Sequence, residues 1–241
     1  MSFRFYLLLL CLAVLAAAKI PNNWQTCKNA KDKNDCLRNA LQIAIKDLSN
    51  GAPSLGVLPM DPWRLKHVTI GDGLKGPVSI KLELIESDLM GLRNIIVKDF
   101  KTDWETIYFD VDSPKVVVVG DYIVDGRVLI LPVTGRGKCR MIFENFNTKC
   151  KMTLGKTNKG GKKYFTVKDL DLGLNATTFS ARFDNLFNGD KLLGDTFNSF
   201  INQNWKVVFD ELKPSVSKAY AAGFKEISNR IFSKIPADVL S

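Results

Sequence analysis

Residues of the types that do catalysis are sparse in this chain. His67 is the only histidine, and its position beside Lys66 is typical of a surface or loop residue. The sequence has no Gly-x-Ser-x-Gly nucleophile elbow and no His/Cys cluster at metal-ligand spacing. The glycine pairs 71/73 and 135/137 lack the third glycine and the strand-to-helix context of a nucleotide site, so they indicate turns. We therefore expect no enzymatic activity, no metal and no cofactor.

The cysteines are a second group of side chains that could take part in chemistry. Cys27 and Cys36 are close in sequence at the start of a predicted helix, and an oxidising compartment favours their pairing. Closing so short a loop stabilises a fold by roughly 2–3 kcal/mol. Cys139 and Cys150 lie on the apolar faces of two predicted strands, equidistant from a predicted turn near Asn145. They form either a cross-strand disulfide or two buried thiols.

Apolar side chains at alternating and helical spacings are the residues best suited to bind a ligand. We expect such residues to face the interior, where they either contact a bound apolar molecule or simply fill a core: Val117, Val119, Leu129, Leu131, Met141, Phe143, Met152, Phe197, Ile201, Trp205 and Phe209. The two methionines rank above the others because flexible thioethers suit variable chains. Tyr122 is a candidate polar contact at one end of the site.

The N-terminus predicts secretion. Residues 1–18 combine Arg4, an apolar core at 7–15 and alanines at 16–18, which is the pattern of a secretory signal peptide. Its removal takes Cys11 and leaves residues 19–241, which show no linker and predict a single extracellular domain. Asn175 begins an Asn-Ala-Thr sequence and is either a glycosylation acceptor or an ordinary surface residue.

Charge indicates little about partners. The formal net charge is +9, and removal of the signal peptide lowers it only by the charge of Arg4. The lysines are scattered over predicted solvent faces, and the cluster at 156–163 surrounds Gly160-Gly161, a predicted hairpin turn. We expect no nucleic-acid partner, a monomer, and at most transient contact with membranes.

The elements that must position these residues are two helices and a run of strands. Apolar spacing predicts a first helix over 35–48, with an ordered proline-rich loop at 53–62. Strands are predicted at 78–84, 95–103, 104–111, 115–121, 127–133, 138–143, 148–154, 164–167 and 170–174, with turns at 112–114, 125–126 and 135–137. A long amphipathic helix follows from Asp195 to about 235, bent but not ended by Pro214. This order predicts an α+β fold in which an antiparallel sheet wraps the long helix.

Several motifs resemble the insect takeout and juvenile-hormone-binding family, in the same order along nearly the whole chain. They are the Cys27/Cys36 pair, the residues Met60-Asp61-Pro62-Trp63, the stretch from Gly120-Asp121-Tyr122 to Arg127 with Leu129-Ile130-Leu131-Pro132, and the stretch Phe187 to Gly194 followed by Asn198, Phe200 and Asn204-Trp205. Hormone carriers of this family have a second disulfide to the C-terminal helix. This chain has no cysteine after Cys150, so it resembles the takeout branch instead.

The resemblance implies a tubular lipid-binding (TULIP-like) fold, a strongly curved antiparallel sheet around the long C-terminal helix. It also implies a secreted carrier, in haemolymph or another extracellular fluid, that holds a terpenoid hormone or another long lipid in an internal tunnel. Takeout relatives are linked to feeding, circadian output and chemosensation. The alternative interpretation is a membrane-surface lipid-transfer or lipid-sensing protein that uses its positive charge to reach anionic bilayers.

Overall fold

The computed structural model describes residues 20–240 except Asp72 and Leu74. The described elements, in chain order, are α1 (Lys33–Leu48), β1 (Trp63–Ile70), β2 (Val78–Met90), β3 (Ile96–Thr102), β4 (Thr106–Val128), β5 (Leu131–Lys159), β6 (Lys162–Asn175), β7 (Thr178–Phe183), α2 (Lys191–Gln203), α3 (Trp205–Phe232) and α4 (Ala237–Leu240). Short 3₁₀ turns lie at Pro53–Leu55, Leu92–Asn94 and Phe187–Gly189. The predicted signal peptide, residues 1–18 with Cys11, lies outside the described residues.

The seven strands form one antiparallel sheet in the order β1-β2-β4-β5-β6, with β3 also paired to β4 and β7 to β5. The two longest strands, β4 and β5, pair with each other along nearly their whole length. Each of them also changes its second partner half-way: β4 passes from β3 to β2, and β5 passes from β7 to β6. Register shifts in the β2–β4, β3–β4 and β5–β6 pairs mark bulges, which bend a sheet and increase its twist. The result is the curled antiparallel sheet that the sequence predicts.

The division of β4 and β5 into shorter strands was wrong. The predicted turns at 112–114, 125–126 and 135–137, and the one near Asn145, all lie inside these two strands. Asp112 still pairs with Asn147, and Gly135 with Val124, so turn-type residues occur here within a continuous ladder. Strand pairing overrides the local turn preference because it provides hydrogen-bond partners for the backbone N–H and C=O groups of both strands. Strands β1 and β7 were not predicted.

The hairpin between β5 and β6 is confirmed. Lys159 pairs with Lys162, and the two intervening residues, Gly160 and Gly161, have φ values of 58° and 74°. Positive φ at both central positions is the geometry of a tight type I′ turn, which glycine adopts without steric cost. The surrounding lysines are therefore the flanks of a solvated turn.

The C-terminal helical run is two helices where the sequence predicted one. The first helix ends at Gln203, and Asn204 adopts φ −104° and ψ 21° before α3 begins. The Asn204 side chain donates to the carbonyl oxygen of Phe200 at 2.9 Å, which satisfies an acceptor at the end of α2. Pro214 lies inside α3 without ending it, as predicted. The 28 residues of α3 extend for about 42 Å along the concave side of the sheet.

Carboxamide side chains attach two of the helices to strands that lie off the centre of the sheet, β3 and β6. Gln42 of α1 accepts from Val97 N–H at 2.8 Å and donates to Ile95 C=O at 2.8 Å, beside β3. Asn229 of α3 makes the same pair of bonds with Val167 of β6, at 2.8 and 3.3 Å. These side chains replace a missing neighbouring strand, so they satisfy and protect sheet edges.

The cysteines divide into one disulfide and two thiols. Cys27 and Cys36 are bonded, with Cα atoms 5.8 Å apart, as predicted. Cys139 and Cys150 are free and buried, which is the second of the two alternatives. Both lie in β5, where Cys139 pairs with Gly120 and Cys150 with Phe109. The predicted turn near Asn145 does not exist, so nothing folds one cysteine back onto the other.

Candidate functional site

A cavity of about 400 Å³ runs through the interior beside α3. Its lining includes α3 residues from Val208 to Phe232, which spans about 36 Å of helix at 1.5 Å per residue. The remaining walls come from α1, from the concave face of the sheet and from the C-terminal residues Val239 and Leu240. A volume this small over such a length means that the cavity is narrow and elongated.

The first helix forms one wall. Its lining residues repeat at helical spacing and make a single apolar stripe: Leu37, Ala40, Leu41, Ala44, Ile45 and Leu48. Asp32 caps the N-terminus of the helix, where its carboxylate accepts from Asp35 N–H at 3.0 Å, and Gln42 holds the helix on β3. The segment before it also reaches the cavity through Trp24, whose indole N–H donates to Asp47 at 2.9 Å.

Aromatic side chains are grouped at three levels along α3. Phe209 near its start contacts Phe143, Phe146 and Phe179, with ring centroids 5.6 to 6.4 Å apart. In the middle, Trp63 of β1 packs on Tyr220 and Phe224, at 6.1 and 4.7 Å. At the far end, Trp104 stacks on Phe165, which contacts Phe232. Most of these rings line the cavity as rigid apolar surfaces, whereas Trp63 and Phe165 pack on lining rings without lining the cavity themselves.

The structure brings four of the sequence-predicted ligand residues to the cavity. They are Met141, Phe143 and Met152 of β5 and Phe209 of α3. Met141 and Phe143 alternate on the concave face of β5, and Met152 reaches the same face because the alternation shifts by one residue at Asn145, where φ is 46°. Phe209 faces Phe143 across the cavity. Both methionines are therefore in position to adjust to the shape of a ligand.

Val117 and Val119 lie outside the cavity, contrary to expectation. Val116 and Val118 line it instead, and they pair across the sheet with Phe143 and Met141. Residues 116–119 are all valine, so alternation alone could not show which pair faces inward.

Six further candidates also lie away from the cavity. The Tyr122 ring packs on Phe183, and its hydroxyl donates to the carbonyl oxygen of Asp184 at 2.7 Å, so it belongs to the packed core. Leu129 lies in the two-residue turn between β4 and β5, and Leu131 is the first residue of β5. Phe197, Ile201 and Trp205 lie before or at the start of α3, and the break at Asn204 separates α2 from the cavity.

The lining contains no charged side chain among the described residues. Its polar members are few: Gln25, Thr26, Ser113, Thr148, Ser228, Tyr220 and the cysteines 27 and 150. Burial raises the pKa of the Cys150 thiol to about 12, and nearby Asp171 adds to the effect. Burial likewise raises the pKa of the Tyr220 hydroxyl, with Cys139 a second cause. Both groups are therefore neutral at physiological pH.

Several lining residues were not singled out as ligand candidates in the sequence. The apolar stripe of α1 and the second half of α3 were identified only as buried helix faces, and β6 contributes Leu170, Leu172 and Leu174. Their periodicity marks them as buried. It carries no signal that distinguishes a cavity wall from a filled core, because both need the same side chains.

His67 is exposed on β1 and lies 3.7 Å from Glu83, itself partly exposed. Within the described residues, no group of His, Cys, Asp and Glu side chains could hold a metal ion. None of the described helices is long and apolar enough to span a membrane. Asn175 is exposed at the end of β6.

Residues 5–241 match the model of the haemolymph juvenile hormone binding protein family. The chain belongs to the haemolymph juvenile hormone binding protein family. This family comprises binding proteins, and its description together with the enclosed apolar cavity identifies the chain as a carrier of hydrophobic ligands. The disulfide is consistent with the extracellular setting in the family's description.

Three known proteins are similar to this chain over most of their length. The structure of Takeout 1 from Epiphyas postvittana superimposes with a TM-score of 0.77 at 27% identity, covering 89% of this chain and 97% of that one. The circadian clock-controlled protein daywake of Drosophila melanogaster is 26% identical over 92% of this chain and 88% of that protein. A putative beta-carotene-binding protein of Schistocerca gregaria is 22% identical over 85% of this chain and 82% of that protein.

Proposed function

We propose that this protein is a secreted carrier of an elongated hydrophobic molecule, such as a terpenoid or another long lipid, held in the cavity along α3. The observation that carries the proposal is the uncharged, almost wholly apolar lining over about 36 Å of helix. Four predicted contact residues, Met141, Phe143, Met152 and Phe209, are assigned to the ligand wall because they line this cavity.

The energetics are compatible with useful affinity. Burying about 15 carbons at roughly 0.8 kcal/mol each contributes on the order of 12 kcal/mol. Immobilising the ligand costs several kcal/mol of this. The balance corresponds to dissociation constants between about micromolar and nanomolar without any hydrogen bond.

Uptake of a fluorescent apolar probe by delipidated protein tests this function. We expect saturable binding of one probe molecule, with probe emission shifted to shorter wavelength as it enters an apolar site. Unlabelled long lipids should displace it. Absence of saturable uptake, with the protein folded by circular dichroism, would contradict the proposal.

Secretion is part of the proposal. We assign residues 1–18 to a cleaved signal peptide and residues 19–241 to a single extracellular domain that acts as a monomer, with no nucleic-acid partner. The Cys27–Cys36 disulfide supports an oxidising compartment. Expression in insect cells should release a protein whose N-terminus is near Lys19, and its mass will show whether Asn175 carries a glycan. Retention of the uncleaved chain inside the cells would contradict this part.

Lipid transfer at a membrane surface is the second candidate. Two exposed leucines, Leu192 and Leu193, follow Lys191 at the start of α2, and the chain has a formal net charge of +9. Such a surface favours brief contact with anionic bilayers. Binding to anionic vesicles that weakens as salt rises would support it, and no binding at low salt would count against it.

A further inference from the structure

Tyr220 occupies a distinctive place in the cavity. It lies in the middle of the α3 stretch that lines the cavity, between Val208 and Phe232. The side chain is only 9% exposed, and its ring packs edge-on against Trp63 at a centroid distance of 6.1 Å. The ring position is therefore fixed by its neighbours, and so is the position of its hydroxyl.

The Tyr220 hydroxyl has no hydrogen-bond partner among the described residues, and the side chain borders the cavity. The other deeply buried tyrosine behaves differently, because the Tyr122 hydroxyl donates to Asp184 C=O at 2.7 Å. Among the described residues the fully enclosed side-chain atoms without a partner are Arg38 Nε and Ser87 Oγ. The Tyr220 oxygen is not one of them, so it retains accessible surface for a partner that comes from outside the chain.

The other hydroxyls of the lining carry less information. Ser113 and Thr148 lie on neighbouring strands near the Phe209 end of the cavity. A serine or threonine hydroxyl rotates about its own bond to reach a nearby carbonyl oxygen. The oxygen of a phenol lies in the plane of a ring that Trp63 and the helix hold in place, so it has no such freedom.

The charge of the lining restricts the partner. No Lys, Arg or His side chain reaches the cavity among the described residues, so a buried carboxylate would have no counter-ion. An isolated charge is far more costly to bury than a neutral oxygen. The partner of Tyr220 must therefore be a neutral acceptor, not the head group of a free fatty acid.

We propose that Tyr220 is the polar anchor of the cavity and donates a hydrogen bond to a neutral oxygen, such as that of a ketone, ester or ether, within an otherwise apolar and elongated ligand. The inference rests on the proposed carrier function. It adds a ligand preference to that function: the cavity binds neutral lipids that carry an oxygen more tightly than the corresponding free acids.

Three competitors of equal carbon number test the anchor: octyl octanoate, hexadecane and palmitic acid. For each competitor we measure the displacement of a fluorescent naphthylamine probe from three delipidated proteins. These are the wild type, Tyr220→Phe and the matched buried control Tyr122→Phe. We expect Tyr220→Phe to weaken octyl octanoate about tenfold, the effect of one lost hydrogen bond, and to leave hexadecane unchanged. Tyr122→Phe should change neither. Palmitic acid should bind weakly above its own pKa and better as the pH falls below it.

Each outcome separates the anchor from the carrier function. If no competitor displaces the probe from wild-type protein, the carrier function fails and the anchor with it. If Tyr220→Phe weakens the binding of the ester and the alkane equally, or changes neither, Tyr220 is not the polar anchor, while the carrier function stands. Tight binding of palmitate at neutral pH overturns the preference for neutral ligands. Ligand-free Tyr220→Phe should be at least as stable as wild type, and a clear loss of stability would show that the hydroxyl has a partner within the protein.

Discussion

The side-chain amide of Asn198 pairs with both backbone polar groups of Phe183. Its oxygen accepts from Phe183 N–H at 2.9 Å and its nitrogen donates to Phe183 C=O at 2.9 Å. One helical turn later, Asn202 makes the same two bonds with Ala181, at 2.7 and 2.9 Å. Helix α2 thus takes the place of a neighbouring strand beside β7. This attachment holds α2 on β7, and none of its described residues lines the cavity beside α3.

Replacing Asn198 by Asp should destabilise the fold. The substitution keeps the acceptor but puts a carboxylate oxygen against the carbonyl oxygens of Phe183 and Gly194, to which the amide now donates. We expect the free energy of unfolding to fall by about 2–3 kcal/mol, measured by urea denaturation at pH 7. The two carbonyl oxygens and burial should raise the pKa of this carboxyl above its ordinary value in the folded protein. The loss should therefore shrink as the pH falls towards about 4, because the protonated carboxyl can donate again.

The exposed Gln203→Glu change in the same helix is the matched control, with an expected effect within about 0.5 kcal/mol. Equal stability of the Asn198→Asp variant and this control would show that the amide pairing contributes nothing.

Gly223→Ala tests how tightly the middle of the cavity wall is packed. A Cβ at this position would lie 2.6 Å from two ring atoms of Trp63, which is itself buried against Tyr220 and Phe224. Alanine gains about 1 kcal/mol of helix propensity over glycine, but overpacking costs typically 1–3 kcal/mol. We expect net destabilisation and a change in tryptophan fluorescence.

Gly194→Ala in α2 is the control for this prediction, since its Cβ would meet only Leu186 at an ordinary 3.7 Å. It should stabilise the protein by up to about 1 kcal/mol. Stabilisation of both variants would mean that Trp63 has room to move.

The two thiols should be unreactive in the folded protein. Burial is the main cause that raises the pKa of both Cys139 and Cys150 to about 12, so almost no thiolate, the reactive form, exists at pH 8. Iodoacetamide should label neither in native protein and both after unfolding. A peptide map without reductant should show the Cys27–Cys36 link alone. Labelling of native protein at a rate typical of free cysteine would contradict the burial and protonation of these thiols.

The same pKa shifts predict alkaline instability. Unfolded thiols lose their protons near pH 9, whereas the folded ones keep theirs until about pH 12. Between these values the unfolded state binds fewer protons, so the free energy of unfolding should fall as pH rises. The double variant Cys139→Val and Cys150→Val should show a shallower decline. If the free energy of unfolding of the variant falls with pH as steeply as that of the wild type, groups other than these two thiols cause the decline.

Filling the cavity from α1 should abolish uptake without unfolding the protein. Ala44 lines the cavity, so Ala44→Trp places an indole in the space that a ligand needs. We expect probe binding to weaken at least about tenfold, corresponding to about 1.4 kcal/mol. Ala222→Trp, at an exposed position of α3, is the control and should bind as wild type does. Equal binding by both variants would place the ligand elsewhere.

Helical parts of this fold could be predicted closely from sequence, and the long strands could not. The α1 stripe and Pro214 inside α3 follow from local periodicity and backbone chemistry. The break at Asn204 does not, because it depends on α2 packing against β7. Turn-type residues such as Asp112 lie inside β4 because a neighbouring strand pairs with them.

The candidate site, too, could be predicted from the sequence only in part. Met141 and Phe143 were singled out from their alternation, and both line the cavity. In the run of four valines beside them, nothing local distinguishes Val116 from Val117. Tyr220 could be recognised only as a member of an apolar helix face. Its lack of a hydrogen-bond partner is a property of the folded chain, which no spacing rule reveals.

Native mass spectrometry of the protein as secreted by insect cells tests the carrier function most directly. We predict a folded species heavier than the polypeptide by one small molecule, which is lost on denaturation and recovered in organic extract as a neutral, elongated lipid. Delipidated protein should regain a single equivalent of added lipid, and Ala44→Trp should not. Secreted protein that carries no small molecule, and takes up none when lipid is supplied, would contradict the account.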